Sequence, residues 1–259
     1  MSEETAARPA ERARVIAVAS GKGGVGKSTV AVNLAVAFAL EGKRTGLLDA
    51  DVHGPSVPRM LGLQERPEFG ERRKIVPLER HGVKFMSIGN LVDEENPIIW
   101  RGPMVHGAIR QLLNDVDWGE IDVLIADMPP GTGDAPMTMA KLARPGGVVI
   151  VSTPQDVALA DARKAIGMFR KLKVPMAGIV ENMSGFVCPH CGGRSDIFGH
   201  GGAGREAERL GIRFLGEIPI DPLLRETSDS GKPVTAADPE GVRAGIFRAM
   251  ARAVWEETS

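Results

Sequence analysis

Gly21-Lys22-Gly23-Gly24-Val25-Gly26-Lys27-Ser28 is the segment whose residue types and spacing most directly dictate a chemistry. It has the form G-x-x-x-x-G-K-S. Glycines let the backbone adopt angles, and approach a ligand, that a Cβ would forbid. The apolar run Val15–Ser20 leads into it, and a helical pattern over Ser28–Leu40 follows. Loop N–H groups and a helix N-terminus therefore converge on one anion, which points to the phosphates of a nucleotide. ATP with Mg²⁺ is the expected ligand. Lys27 is expected on the β- and γ-phosphates, Ser28 on Mg²⁺ and Thr29 on the α-phosphate. Gly21, Gly23, Gly24, Val25 and Gly26 supply the backbone cradle. A second lysine, Lys22, has no task in a simple loop of this kind.

Carboxylates end two other apolar runs. Leu47-Leu48-Asp49-Ala50-Asp51 closes one with two acids on the same side of an extended chain. Val123-Leu124-Ile125-Ala126-Asp127 closes the other, and an acid there can hold Mg²⁺ through water. Asp127-Met128-Pro129-Pro130-Gly131-Thr132-Gly133-Asp134 then reads as a switch loop, stiffened by proline and allowed to turn by glycine.

The remaining chemistry lies in Phe186-Val187-Cys188-Pro189-His190-Cys191-Gly192-Gly193. Cys188 and Cys191 are the only cysteines, in a CxxC that suits a metal, a thiol redox pair or two buried free thiols. Zinc and iron–sulfur sites usually take four ligands, so one CxxC is half a site. His190 and His200 are candidates to complete it but read more simply as polar loop residues. The whole stretch from Gly185 to Gly204 is expected to be a functional loop between a strand and a helix.

KGGVGKST resembles the deviant Walker A loop of the MinD, ParA and nitrogenase iron protein superfamily. That resemblance implies a homodimer sandwiching ATP, with Lys22 reaching the partner's nucleotide to neutralise transition-state charge. It implies that Asp51 lies near Mg²⁺ and orients the attacking water, with Asp49 in support, and that Asn182 recognises adenine. Catalysis would then rest on Lys22, Lys27, Asp51 and Asp127. GKGGVGKST, DADVHGPS, DMPPGTGD, VSTPQDVAL, VENMSGFVCPHCG and DIFGHGG together resemble the Mrp/ApbC family of P-loop ATPases, from Val15 almost to the end. That family binds and transfers iron–sulfur clusters. The resemblance implies a [4Fe–4S] cluster on Cys188 and Cys191, bridged by two copies of the CxxC across a two-fold axis. Apo iron–sulfur client proteins and a cluster donor would be the partners. Many bacterial relatives have an extra N-terminal domain, so this chain resembles the minimal ATPase core.

Positioning these residues requires strands that end in ligands. Thr45–Asp49, Val123–Asp127, Gly147–Ser152, Ala177–Asn182 and Phe214–Ile218 are short continuous apolar runs, the pattern of strands covered on both faces. Helical patterns such as Asp156–Leu172 and Gly204–Leu210 alternate with them. The expected fold class is α/β, a mainly parallel sheet flanked by helices on both faces, with a hairpin of Ile75–Pro77 and Val83–Ser87 at one edge. Residues 1–14 read as a disordered lead, and 15–259 as one P-loop ATPase domain carrying the CxxC loop at 185–204.

Gross composition narrows the field. The 259 residues can bury a full core without disulfides. Lys and Arg number 32 against 33 Asp and Glu, a net charge of -1, which does not favour nucleic acid. No apolar run is long enough to span a bilayer and no signal core precedes the first strand, so the expectation is a cytoplasmic protein without stable membrane association. Two rival functions remain open. A MinD-like positioning ATPase would use the amphipathic segment Gly241–Trp255 on a membrane, with Val242, Ile246, Met250 and Val254 on one side. A P-loop scaffold would hold structural zinc at the paired CxxC.

Overall fold

The computed structural model describes residues 13–52, 54–91 and 102–259. His53, within the quoted DADVHGPS motif, and residues 1–12 of the expected lead lie outside them. The described strands are β1 (Arg14–Ala19), β2 (Thr45–Asp49), β3 (Leu78–Arg80), β4 (Val83–Ser87), β5 (Val123–Asp127), β6 (Gly147–Ser152), β7 (Met176–Val187), β8 (Arg194–Ser195) and β9 (Phe214–Ile220). They form one sheet in the order β3-β4-β2-β5-β1-β6-β7-β8, with β9 also on β7. β3 and β8 are antiparallel to their neighbours, and the other pairings are parallel. The connection leaving β1 and the one leaving β5 run to opposite sides of the sheet. That divergence opens a crevice at the carboxyl ends of the strands, where such sheets bind ligands.

Side chains alternate between two cores. Leu48, Leu124, Ala126, Val148 and Ile150 pack one face with Trp118 and Phe169. Leu47, Ile125, Val149 and Val151 pack the other with Phe38, Phe85 and Phe247. Helices α3 (Gly102–Asn114), α4 (Asp134–Ala143), α5 (Asp156–Lys171) and α6 (Gly202–Leu210) contribute buried residues to the first core. Helices α1 (Lys27–Leu40), α2 (Val57–Leu61), α7 (Pro222–Asp229), α8 (Val234–Ala237) and α9 (Val242–Glu257) cover the second.

Helix α1 is apolar nearly all round and is buried continuously from Val30 to Phe38, as expected of a helix enclosed on all sides. Its one interior amide, Asn33, is satisfied by Thr235, whose N–H and hydroxyl donate to Asn33 Oδ1 at 3.1 and 2.8 Å. Phe38 meets the Trp255 ring edge-on. The buried stripe of α9 is Ala244, Phe247, Met250, Ala251 and Val254. The stripe expected from sequence is thus partly corrected: Met250 and Val254 are in it, whereas Ile246 only flanks it and Val242 is 87% exposed. The apolar side of this helix is spent on α1 and the sheet. Among the described residues no helix is long and apolar enough to cross a membrane.

Several boundaries differ from expectation. Arg14, assigned to the lead, begins β1, because its guanidinium stacks 3.6 Å from the Trp255 ring centroid and donates to the Trp255 carbonyl at 2.7 Å. The edge hairpin exists, but its first arm is Leu78–Arg80. Ile75 instead bridges to Phe69 and Val116. Strand β7 runs past Asn182 to Val187, through positive-φ residues Met183 and Gly185, so the CxxC loop is the tip of a hairpin with β8.

Phe169 is fully buried in the first core. Phe169→Ala should cost about 3–5 kcal/mol, read as a lower urea midpoint with little change in slope.

Candidate functional site

The crevice forms where β1, β2 and β5 end. Asp49 and Asp127 are register neighbours on β2 and β5, so two carboxylates meet at the sheet edge beneath the Gly21–Ser28 loop. Lys27 answers them. Its Nζ donates to Asp127 Oδ1 at 2.6 Å and lies 3.7 Å from Asp51 Oδ2 and 3.3 Å from Ser28 Oγ. Burial opposes the lysine's charge. The charge and hydrogen bond of Asp127, with Asp51 and Asp49 beyond, outweigh it and hold its pKa above the ordinary lysine value. Burial raises Asp127 above the usual carboxylate range, against the pull of Lys27. Its Oδ2 is buried with no hydrogen-bond partner among the described residues.

Asp49 has a different task. Its Oδ1 accepts the N–H of Asp51 at 3.1 Å, and its Oδ2 accepts the Ser87 hydroxyl at 2.9 Å and the Val57 N–H at 3.3 Å. It therefore braces the loop carrying Asp51 and the start of α2. Burial, then the charge of Asp127, push its carboxyl up to about 7.

The loop is held in place by close approach. A Cβ on Gly21 would overlap the backbone of Asp161 and Ala162 in α5. Gly26 has φ +81°, and a Cβ there would strike the Asn182 amide. That amide donates to the Val25 carbonyl at 2.8 Å, so Asn182 buttresses the phosphate loop from the end of β7. The switch segment is tied to the same loop, since the Gly131 N–H donates to the Ser20 carbonyl at 3.0 Å. Lys22 is half-buried, and no carboxylate among the described residues pairs with its ammonium. Gly23, Gly24 and Thr29 sit at the mouth of the loop and the first turn of α1.

Beyond Asn182, β7 continues to the thiols. Cys188 and Cys191 are both free, the first half-buried and the second exposed. The turn closes when the Cys188 N–H donates to the Gly193 carbonyl and the Gly192 N–H to the Cys188 carbonyl, both at 2.9 Å. Backbone N–H groups of Cys191 and then His190, followed by the Cys191 thiol, hold the Cys188 thiol below its ordinary pKa. A turn that stabilises a thiolate is a turn suited to a soft metal. Among the described residues no three His, Cys, Asp or Glu side chains gather as a metal cluster. His200 is occupied elsewhere, with Nε2 2.9 Å from Glu217 Oε2, so neither histidine joins the cysteines.

Sequence reasoning missed Glu181. This buried carboxylate accepts the N–H groups of Gly201 and Ala203 at 2.7 and 2.6 Å and the Ser184 hydroxyl at 2.6 Å. It anchors the far end of the cysteine loop to the start of α6. The signal was available, because a charged residue inside an apolar strand demands partners. Ser87 carried no such signal.

The ParA profile for NUBPL iron-transfer P-loop NTPases matches residues 11–255. The chain belongs to this family. It is 54% identical over 239 residues to an iron–sulfur cluster carrier protein of Deinococcus radiodurans, covering 92% of this chain and 68% of that one. It is 52% identical over 241 residues to the mitochondrial iron–sulfur protein required for NADH dehydrogenase of Arabidopsis thaliana, covering 93% and 77%. A nucleotide-binding protein of Archaeoglobus fulgidus, solved with ADP, is 43% identical with a TM-score of 0.79 over 93% of this chain and 96% of that one. The cell division ATPase MinD of Pyrococcus furiosus shares the fold, with a TM-score of 0.72 at 24% identity over 94% and 98%.

Because the folded-state pKa of Asp49 is raised, its contribution to stability is fully present below the unfolded value near 4 and lost as pH rises through about 7. Asp49→Asn should therefore gain stability relative to wild type between pH 5 and pH 8, read as the difference in urea midpoints of the ligand-free proteins.

Proposed function

We propose that this member of the family is an ATP-hydrolysing homodimer that carries a [4Fe–4S] cluster and hands it to apo-proteins. The observation that carries the reading is a single strand serving two chemistries. Asn182 of β7 supports the phosphate loop, and the same strand ends in a hairpin presenting two free thiols that no third ligand completes among the described residues. Two such hairpins facing each other would supply four thiolates. The carrier names of the relatives and the ADP of the Archaeoglobus protein favour the same reading. We place it in the cytoplasm, where reducing conditions keep thiols free.

Residue roles follow from charge. ATP would offer Lys27 phosphate oxygens in place of Asp127, with the backbone from Gly21 to Ser28 around them. Asn182 keeps one N–H and its carbonyl for adenine. Ser28 and Asp127, whose second oxygen has no partner among the described residues, fit Mg²⁺ as oxygen ligands. The ion, when bound, would neutralise charge on the β- and γ-phosphates. Asp51 would lie beside it and orient the attacking water. Lys22 would act on the nucleotide of the other subunit.

Lys22→Ala should bind ATP but lose hydrolysis by as much as ~10³-fold, the scale of an arginine finger. Mixing it with Asp51→Ala should restore part of the activity, since one site in a heterodimer would be intact. Absence of rescue in proven heterodimers would refute action in trans.

Anaerobic reconstitution should yield two iron atoms per chain, with the Mössbauer signature of [4Fe–4S] and dimer formation coupled to loading. Cys188→Ala and Cys191→Ala should each abolish loading while ATP binding survives. Uptake of zinc alone by the wild type would favour the structural-zinc scaffold instead.

A further inference from the structure

A cationic cleft lies where helices α3 and α4 meet. His106, Arg110 and Asn114 follow at four-residue intervals along α3, on one face of the helix. Lys141 and Arg144 approach from the last turn and C-cap of α4. Buried Leu113 lies between them, and the cleft measures about 250 Å³. No described carboxylate pairs with Arg110, Lys141 or Arg144, whereas Arg44, Arg163, Arg213, Arg243 and Arg248 each hold one. In a chain of net charge -1 this concentration of unmatched positive charge stands out.

The helix dipole accounts for a basic residue in the last turn of α4. It does not account for Arg110 or His106, which lie on a different helix. Arg144 is also held at φ +47°, a left-handed cap that glycine or asparagine would occupy with less strain.

We propose that this cleft docks an acidic segment of a partner protein through its carboxylates. Carboxylates match the planar forks of Arg110 and Arg144. No Phe, Tyr or Trp side chain lines the cleft to stack a base. Topology separates it from the other sites. Helix α4 leaves the switch loop at Asp134 and ends near the start of β6, so the cleft sits at the amino ends of the strands, opposite the nucleotide crevice. A partner held here leaves both the P-loop and the cysteine hairpin open. The proposal rests on the carrier reading only in taking that partner to be a cluster donor or recipient.

The test uses the full chain with saturating MgADP at low ionic strength and a fluorescein-labelled decaglutamate peptide followed by anisotropy. Wild type should bind saturably, and Arg110→Glu/Lys141→Glu should bind at least tenfold more weakly. Arg144→Gly should also weaken binding while its melting temperature holds or rises, which a merely structural arginine would not permit. Iron loading of the charge-reversal variant should match wild type, so failure of the cluster reading is scored separately. Peptide affinity unchanged by the reversal, no saturable binding in wild type, or displacement by equimolar inorganic phosphate would overturn the proposal.

Discussion

A lysine ammonium in a nearly dry crevice must be matched by negative charge, and the arrangement of Lys27 follows from that need. Asp127 at 2.6 Å is the match. The carboxylate can be there only because β5 lies between β1 and β2 in the sheet, and the lysine only because the loop folds back over that edge. Asp49 and Asp51 make the site richer in acid than one lysine can balance, which is why burial leaves Asp49 titrating near neutrality. Any further anion drawn to Lys27 would compete with Asp127 for the one cation.

Strand β7 is the second organising element. Successive side chains at its end face different tasks: Asn182 donates to the phosphate loop, while Glu181 clamps the return of the cysteine loop onto α6. Asn182 meets the phosphate loop, and the residue before it, Glu181, holds the frame of the thiols. Ser184 joins Glu181 to Glu217, and Glu217 meets His200, so the link is a hydrogen-bonded network with more than one member. One backbone serves both places.

Much of this was legible in the sequence because it was local. The bounds of β2, β5 and β6 follow from unbroken apolar runs ended by Asp49, Asp127 and Ser152. The phosphate loop follows from glycine spacing. What stayed hidden depends on distant partners. Gly21 reads as a motif glycine, yet its packing requirement comes from Asp161, far along the chain. Asp49 reads as an acid in support of Asp51, yet the partner through which it braces that loop is Ser87 on β4, which nothing local to Asp49 reveals. The extension of β7 escaped notice because Met183 and Gly185 take positive φ inside it, and a bulged strand does not show the period of a regular one.

The burial of α1 bears on the order in which the chain is made. This helix begins at Lys27, but its apolar outer surface is closed by α8 and α9, which are made much later. Until Phe247 and Trp255 arrive, Phe38 and its neighbours have nothing to cover them. A growing chain must therefore hold an unfinished apolar surface until those helices arrive. A product ending short of α9 would leave that surface uncovered, a target for chaperones and proteases.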